Sequence, residues 1–324
     1  MKRQSINTNH LQTICWVDDA IVDFASAGKQ YTFDGQVKEL YKYTYRFGDT
    51  AITSADGQYA FIYQKLGTKG LLLKNGDIVR EINRSYYFAE TYEYPAAFVT
   101  IDNRTFLVHC PLKYCRLDFE DVETGHIVTD KPNRNPSDYF HSRLEISPNG
   151  KYLMSKGWFW HPWDVIKLFE IKKCLESPEE LDKSEIYPNV GTEICTASFI
   201  DDNKVLIGSS DEEPMHDELS ENLPPKHMAI WNIEFNQISK PIKVQSEFGN
   251  LFAINEKFAW DIFQFPKIID LETGEIVDKD ESLASGLQKS SIIHHLDKLP
   301  KVAYNRQTKQ MAITNGDCIE IIEK

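Results

Sequence analysis

The sequence predicts an all-β fold in which one four-stranded unit is repeated along the whole chain, and three observations support this prediction. A hairpin with a tight turn rich in Asp, Asn and Gly recurs along the 324 residues. A second hairpin with a polar turn accompanies the first one. The pair recurs about every 40 to 55 residues, a spacing typical of repeated β-sheet units.

The first hairpin of the unit has turn residues with a clear physical role. Asn, Asp and Gly adopt positive φ at low cost or cap their own backbone, so they favour tight turns between antiparallel strands. Apolar and aromatic residues on both sides of the turn predict the two strands. The segments with this pattern are SADGQYAFIYQ (54–64), IDNRTFLVHC (101–110), SPNGKYLMSKG (147–157), FIDDNKVLIGS (199–209), AINEKFAWDIF (253–263) and YNRQTKQMAIT (304–314).

The second hairpin consists of a strand, a polar turn and another strand. Three examples are plainly related: LLLKNGDIVREI (71–82), LDFEDVETGHIVTD (117–130) and IIDLETGEIVDKD (268–280). A shorter version lies at 31–42, and longer versions lie at 168–187 and 229–244. Together the two hairpins supply the four strands of one unit.

Four-stranded units at this spacing resemble the blades of a β-propeller of the broad WD40-like and YVTN-like class. Radial stacking suits such units, because neighbouring sheets bury the faces that one sheet alone leaves exposed. The chain contains no regular GH…WD pattern, so the resemblance indicates no specific family. It predicts a single domain over residues 1–324, with seven blades that begin near residues 10, 45, 92, 138, 193, 248 and 290.

The two ends of the chain predict how the ring closes. The last unit supplies only three strands, in the segments VAYN, QMAIT and CIEIIEK, while residues 2–8 precede the first unit. Propellers are often closed by one terminus that completes the blade of the other. We therefore expect residues 2–8 to form the outer strand of the last blade; the alternative is a disordered leader.

Charge and composition narrow the classes of function. The chain is 41% hydrophobic and 26% charged, as in a folded protein, with a net charge of −13 and a pI of about 5.2. Surfaces that bind nucleic acid are basic, so the sequence predicts no nucleic-acid partner. An acidic surface favours solubility or a basic protein partner.

The sequence predicts a cytoplasmic protein that does not span a membrane. No apolar run follows the basic residues of the N-terminus, and no window approaches 18 uninterrupted apolar residues. The six cysteines are scattered, with one close pair, C-P-L-K-Y-C at 110–115, and no second pair to complete a zinc site. Scattered cysteines indicate reduced, buried thiols.

The segment GWFWHPWDV, from Gly157 to Val165, is the most unusual in the chain. In the predicted fourth blade it connects the second and third strands. Because consecutive strands are antiparallel, such connections and those between blades emerge at one end of the ring, here called the top face. The same connection in the next two blades is the acidic segment 211–226 and the segment from Asp261 to Pro266.

We therefore expect a partner-binding patch on the top face of blades four to six, because Trp is enriched at the centres of protein interfaces. Its predicted residues are Trp158, Trp160, His161, Trp163, Glu212, Glu213, Met215, Asp217, Phe263 and Phe265. In the alternative interpretation, Trp158 or Phe159 packs between blades, because alternation along a strand sends neighbours to opposite faces. A small-ligand pocket is the remaining interpretation of the aromatic cluster. The acidic segment by itself is more typical of a solvated loop than of a binding element.

No motif for catalysis is visible. The chain lacks G-x-G-x-x-G between strand and helix, Walker A, G-x-S-x-G and H-E-x-x-H sequences, so we assign no catalytic residue, metal ligand or cofactor. Asp164 and Asp261 occupy similar loop positions and are the carboxylates to inspect for paired acid–base chemistry. The alternative role of both is to cap turns.

The sequence thus predicts a non-enzymatic interaction module that binds a protein partner, with a basic partner favoured, through one face of the propeller. One specific form of this hypothesis is a bacterial immunity protein that blocks a toxin. The competing hypotheses are a propeller enzyme with a carboxylate-lined site at the mouth of the central channel, and a structural subunit of a larger assembly.

Overall fold

A computed structural model describes residues 1–214, 221–296 and 299–324. They form seven antiparallel sheets, arranged as the blades of a propeller. The inner strands of blades one and two, two and three, three and four, and five and six contact one another, and the inner strand of blade one contacts that of blade seven. The prediction of an all-β, seven-bladed propeller is confirmed.

Each blade runs from the axis of the ring outward in sequence order, and strand β1 (Lys2–Asn7) precedes blade one. Blades one to three contain β2 (Cys15–Val17), β3 (Ala20–Asp23), β4 (Lys29–Tyr31) and β5 (Val37–Glu39); β6 (Thr50–Thr53), β7 (Tyr59–Tyr63), β8 (Lys69–Lys74) and β9 (Asp77–Asn83); and β10 (Ala96–Ile101), β11 (Arg104–His109) and β12 (Asp118–Asp121). The outermost strand of blade three is reduced to a bridge between Glu120 and Ile127.

The remaining blades vary in their outermost strand. Blades four and five contain β13 (Glu145–Ile146), β14 (Tyr152–Phe159) and β15 (Trp163–Glu170), then β16 (Ile194–Phe199), β17 (Lys204–Ser209), β18 (His227–Asn232), β19 (Gln237–Ile238) and β20 (Ile242–Lys243). Blades six and seven contain β21 (Leu251–Ala253), β22 (Phe258–Asp261), β23 (Lys267–Asp270) and β24 (Ile276–Lys279), then β25 (Val302–Tyr304), β26 (Met311–Asn315) and β27 (Cys318–Glu323). In blade four a bridge between Leu168 and Ile186 takes the outer position, and in blade five β19 and β20 both pair with β18.

The connection that follows the third strand of blade four contains an α-helix and a 3₁₀-helix. The α-helix Ile171–Glu176 and the 3₁₀-helix Pro178–Leu181 follow β15. Their buried residues pack against the apolar residues of blade three, so this short helical pair widens the contact between blades three and four. Neither helix has the length or apolar character needed to cross a membrane.

The apolar cores lie between neighbouring blades rather than within one sheet. Met154 and Leu168 of blade four pack with Val205 and Trp231 of blade five. The indole Nε1 of Trp231 donates a hydrogen bond of 2.8 Å to Asn236 Oδ1, so its polar atom is satisfied within the core. Burial of each such side chain contributes about 1.5 to 3 kcal/mol, which makes blade stacking the main stabilising interaction.

The N-terminal strand closes the ring. β1 pairs with β27 over its whole length, from Lys2 opposite Glu323 to Asn7 opposite Cys318. Thr8 N donates one more hydrogen bond, of 2.7 Å, to the backbone oxygen of Asp317. The predicted role of residues 2–8 as the outer strand of the last blade is confirmed.

A long connection from β24 to β25 crosses the top end of the central channel. Its residues 285–296, here called the strap, leave blade six and reach the far side of the ring. Ser291 N donates a hydrogen bond of 2.8 Å to Asp164 Oδ2 of blade four. Ile293 N donates one of 2.8 Å to the oxygen of Thr91, at the entry to blade three. The strap therefore covers the top end of the channel and ties blade six to the opposite blades.

Asp164 lies under the strap and is only 2% exposed. Its nearest cationic group is the Arg143 Nη2, at 3.9 Å from Oδ2. Burial raises the pKa of Asp164 to about 7, which Arg143 opposes and Glu193 increases. In the folded protein the neutral form of this carboxyl group is therefore favoured over the charged form up to about pH 7.

We expect Ile6→Ala to lower the free energy of unfolding by about 2 to 4 kcal/mol, because it removes a side chain of β1 that is buried between blades. Ile6 is 4% exposed and packs with Ile21 and Ile319. Lys2→Ala, on the exposed side of the same strand, should change the free energy of unfolding by less than about 0.5 kcal/mol. Urea denaturation measures both; equal effects would contradict the closure of the ring by β1.

We expect Asp164→Asn to change the dependence of stability on pH. The raised pKa of Asp164 stabilises the wild-type fold fully below the ordinary carboxyl pKa, and this contribution is lost as pH rises through about 7. The free energy of unfolding of the wild type should therefore fall, relative to the variant, by about 2 to 3 kcal/mol between pH 5 and pH 8. Parallel curves for the two proteins in urea denaturation would refute a neutral, buried Asp164.

Candidate functional site

The top face of blades three and four carries a group of exposed or half-buried aromatic side chains, here called the aromatic patch. It consists of Tyr86, Tyr87, Phe88, Tyr114 and Trp160. Tyr86 is 85% exposed, and Trp160 is 38% exposed despite its size. Large aromatic side chains that share one exposed surface are a feature of binding sites rather than of ordinary protein surface.

Three separate connections supply the aromatic patch. Tyr86, Tyr87 and Phe88 lie between β9 of blade two and β10 of blade three, Tyr114 lies between β11 and β12, and Trp160 lies in the turn between β14 and β15. All three connections emerge at the top face, because the strands that they join are antiparallel and consecutive. The ring of blades thus brings together side chains that are up to 74 residues apart in sequence.

The exposed rings contact one another directly. Phe88 and Trp160 have ring centroids 4.9 Å apart in an edge-to-face arrangement. Tyr87 lies 4.8 Å from Phe88 and 4.6 Å from Tyr114. Such contacts fix the rotamers of the aromatic patch before any partner binds, which reduces the entropy lost on binding.

Buried rings support the aromatic patch from below. Phe140 and Trp158 stack with centroids 3.9 Å apart and an angle of 5° between their planes. Trp158 then meets Trp160 edge to face at 5.4 Å, and Phe140 contacts Tyr114 at 4.6 Å. The exposed rings therefore stand on a rigid aromatic base rather than on a mobile loop.

The turn that carries Trp160 is tighter than the sequence predicts. We expect the whole segment from Gly157 to Asp164 to connect two strands, whereas β14 continues to Phe159 and β15 begins at Trp163. Gly157 allows this extension, because a Cβ atom there would lie 2.0 Å from the backbone oxygen of Phe140. The hairpin extends over the top face and exposes Trp160 at its tip.

Polar groups border the aromatic patch. The Tyr114 hydroxyl donates a hydrogen bond of 2.6 Å to Asp138 Oδ1, and burial together with this carboxylate raises the pKa of Tyr114. Lys167 Nζ lies 4.4 Å from the ring centroid of Tyr139 and 4.8 Å from that of Phe159. Burial lowers the pKa of Lys167 to about 8. Asp138 thus orients Tyr114 at the edge of the aromatic patch, whereas Lys167 contacts rings outside it.

Two of the predicted partner-binding residues are buried. Trp158 is 2% exposed and Phe263 is 6% exposed, so neither has surface for a partner to contact. Trp158 supports Trp160 from below, as in the alternative interpretation in which it packs in the interior. Phe265 is half-buried, with Lys267 Nζ 4.5 Å from its ring centroid. The exposed aromatic rings therefore gather over blades three and four, not over blades four to six.

A separate cavity of about 840 Å³ lies on the top face beside blades four, five and six. Its lining includes three of the predicted residues, His161, Trp163 and Glu212. Glu213 is exposed on the same acidic connection as Glu212. Met215 and Asp217 lie outside the described residues. The top face thus has an aromatic part and, on its other side, a more polar depression.

The carboxylates that we singled out for acid–base chemistry have different surroundings. Asp164 lines the top-face cavity with Glu193, whose Oε1 accepts a hydrogen bond of 2.8 Å from Asp164 N. Burial raises the pKa of Glu193. Asp261 accepts hydrogen bonds from Gly249 N at 3.0 Å and Phe263 N at 2.9 Å. Asp261 thus caps a turn, and only Asp164 of the predicted pair lines this cavity.

Sequence reasoning missed Tyr86, Tyr87, Phe88 and Tyr114, which are four of the five residues of the aromatic patch. The run Tyr86-Tyr87-Phe88 is a visible signal, since three consecutive aromatic residues lie between two predicted blades. A connection between blades emerges at the top face, as does the hairpin of Trp160. Their proximity, however, depends on the angle between blades, which no local pattern encodes.

Comparisons with known proteins do not assign the chain to a family. No protein family model matches the chain, and no curated protein is significantly similar to it.

Proposed function

We propose that this propeller is a non-enzymatic interaction module that binds a protein partner through its top face. The observation that carries the proposal is the aromatic patch, in which Tyr87, Phe88 and Trp160 are exposed and also contact one another. Tyr and Trp dominate the energetics of protein interfaces, because they bury a large area with few rotatable bonds. A rigid, exposed cluster of these residues suits a partner-binding hot spot.

Charge favours a basic partner. The chain has a net charge of −13, and Asp211, Glu212 and Glu213 are all exposed on the top face. Acidic side chains on the same face as the aromatic patch attract a basic partner before contact and leave the aromatic rings to supply the affinity. In the more specific form of the proposal the protein is cytoplasmic and its partner is a toxin that it neutralises. Identifying the captured partner distinguishes this form from the general one.

The geometry gives less support to the enzyme hypothesis. A carboxylate-lined site at the top mouth of the channel requires access, and the strap crosses that end. Asp164, the carboxylate nearest to it, accepts a hydrogen bond from Ser291 of the strap and is 2% exposed. A buried carboxyl group in this setting stabilises the strap, which is a structural role.

We expect the double variant Tyr87→Ala, Trp160→Ala to lose the partner that the wild type captures in a pull-down from the source cell, with an affinity at least about thirtyfold lower. Both substitutions remove exposed rings, so the fold should remain, as circular dichroism can verify. The control is Phe235→Ala, an aromatic residue that is 65% exposed in the turn between β18 and β19, at the opposite end of the ring. A partner that binds all three proteins equally would exclude the aromatic patch as its site.

We expect Glu212→Lys, Glu213→Lys to slow association with that partner by about tenfold at low salt while changing the dissociation rate little, since exposed charges act mainly on encounter. Surface plasmon resonance at two salt concentrations measures both rates. Glu256→Lys, Glu272→Lys provides a control with the same change of net charge away from the top face. Equal effects of the two pairs would indicate that only net charge matters.

A further inference from the structure

The central channel encloses a cavity of about 1100 Å³ that is separate from the aromatic patch. At the top its lining includes Ser285 and Gln288 of the strap, and at the bottom it includes Asn149 and Gly150 of the turn between β13 and β14. The cavity therefore runs along the axis of the ring, covered at the top end and bordered by turns at the bottom end. Its volume is at the upper end of the range for small-molecule sites.

Aromatic side chains form part of the channel wall. Phe98, Phe252 and Tyr304 all line the cavity and are half-buried. Phe252 and Tyr304 have ring centroids 5.2 Å apart. The wall thus offers apolar surface that the blades do not bury between themselves.

The net charge of the channel wall is positive, whereas the net charge of the protein is negative. The chain as a whole carries −13, but the channel lining contains five basic side chains and three carboxylates. The basic residues are Lys65, Arg143, Lys156, Arg306 and Lys309. A low-dielectric channel strengthens the field of such groups.

The excess of positive charge is concentrated toward the bottom end. Lys156 Nζ lies 2.7 Å from Glu145 Oε2, and Arg306 forms an ion pair with the same carboxylate. Lys309 has no ion-pair partner within the described ranges and lies in the same turn as Arg306, between β25 and β26. Burial lowers the pKa of Lys309, and the like charge of Arg306 lowers it further. Glu145 is thus the carboxylate partner of two of these three cations.

The other two carboxylates of the lining are already engaged. Glu93 Oε2 lies 3.7 Å from Lys65 Nζ. Asp201 Oδ1 accepts hydrogen bonds of 2.8 Å from both Asn203 N and Lys204 N, so it caps the turn between β16 and β17. Neither compensates the cations around Glu145.

We propose that the central channel binds a small organic anion with an apolar body, whose anionic group is held by Lys309 and Arg306. The anion supplies the negative charge that Glu145 alone does not, while Phe98, Phe252 and Tyr304 contact the apolar body. Arg306 is suited to this role because its planar guanidinium group can bind carboxylate, sulfonate or phosphate oxygens while it keeps its contact with blade four. The site is independent of the proposed protein partner, which binds at the other end of the ring.

The test uses 1-anilinonaphthalene-8-sulfonate, a fluorescent anion with an apolar body, and N-phenyl-1-naphthylamine, its uncharged counterpart, with the full-length protein. We expect saturable binding of the sulfonate with one site per chain and at least about tenfold weaker binding of the uncharged probe. Lys309→Met should weaken binding of the sulfonate by at least about tenfold, because it removes a charged hydrogen-bond donor from the site.

The matched control is Lys257→Met. Lys257 lies in the turn between β21 and β22, which corresponds in blade six to the turn of Lys309 in blade seven, but its side chain is 52% exposed and pairs with Glu272. The Lys257→Met variant should bind the sulfonate with the same affinity as the wild type. Lys309→Gln repeats the test if Lys309→Met unfolds, which thermal denaturation shows. Equal binding of both probes, no saturable binding, or unchanged affinity in the folded Lys309 variant would each overturn the proposal.

Discussion

The pairing of β1 with β27 is the constraint on which the rest of the structure depends. One four-stranded sheet cannot bury both of its faces, and a row of such sheets leaves its two end blades unpaired. By completing blade seven, β1 connects the two ends of the chain and lets every blade pack between two neighbours. The top-face surfaces and the central channel exist only in the closed ring, because each is lined by residues from several blades.

The aromatic residues have two roles, packing between blades and forming an exposed surface, and residues with the two roles meet at the top face. Between blades they are core, as Trp231 and Trp260 show with side chains that are fully buried. At the hairpin of blade four the same pattern continues past the core, from buried Trp158 to exposed Trp160. The exposed surface is therefore an extension of the interior and takes its rigidity from it, which distinguishes it from the acidic connection of blade five.

Charge is divided between the outside of the ring and its axis. Carboxylates dominate the surface of the chain, whereas basic side chains outnumber them along the channel. The strap reinforces this division, since Ser291 accepts a hydrogen bond of 2.9 Å from Arg143 and donates one of 3.0 Å to the oxygen of Lys156. It holds Arg143 at the top of the channel, whereas the side chain of Lys156 extends to Glu145, and Arg306 and Lys309 lie toward the other end.

The sequence by itself determined the seven blades, the strand order and the closing role of residues 2–8, because turn chemistry, strand alternation and a fixed repeat are local signals. It also placed Trp160 at the top face, since the direction of each connection follows from antiparallel strands. Only the tertiary structure decided that Phe140 covers Trp158, that Tyr87 and Phe88 join Trp160, that the strap reaches Asp164, and that Arg306 meets Glu145 from the opposite blade. The last three of these contacts join residues of different blades, and their distances are set by how the blades stack around the axis, which no local pattern records.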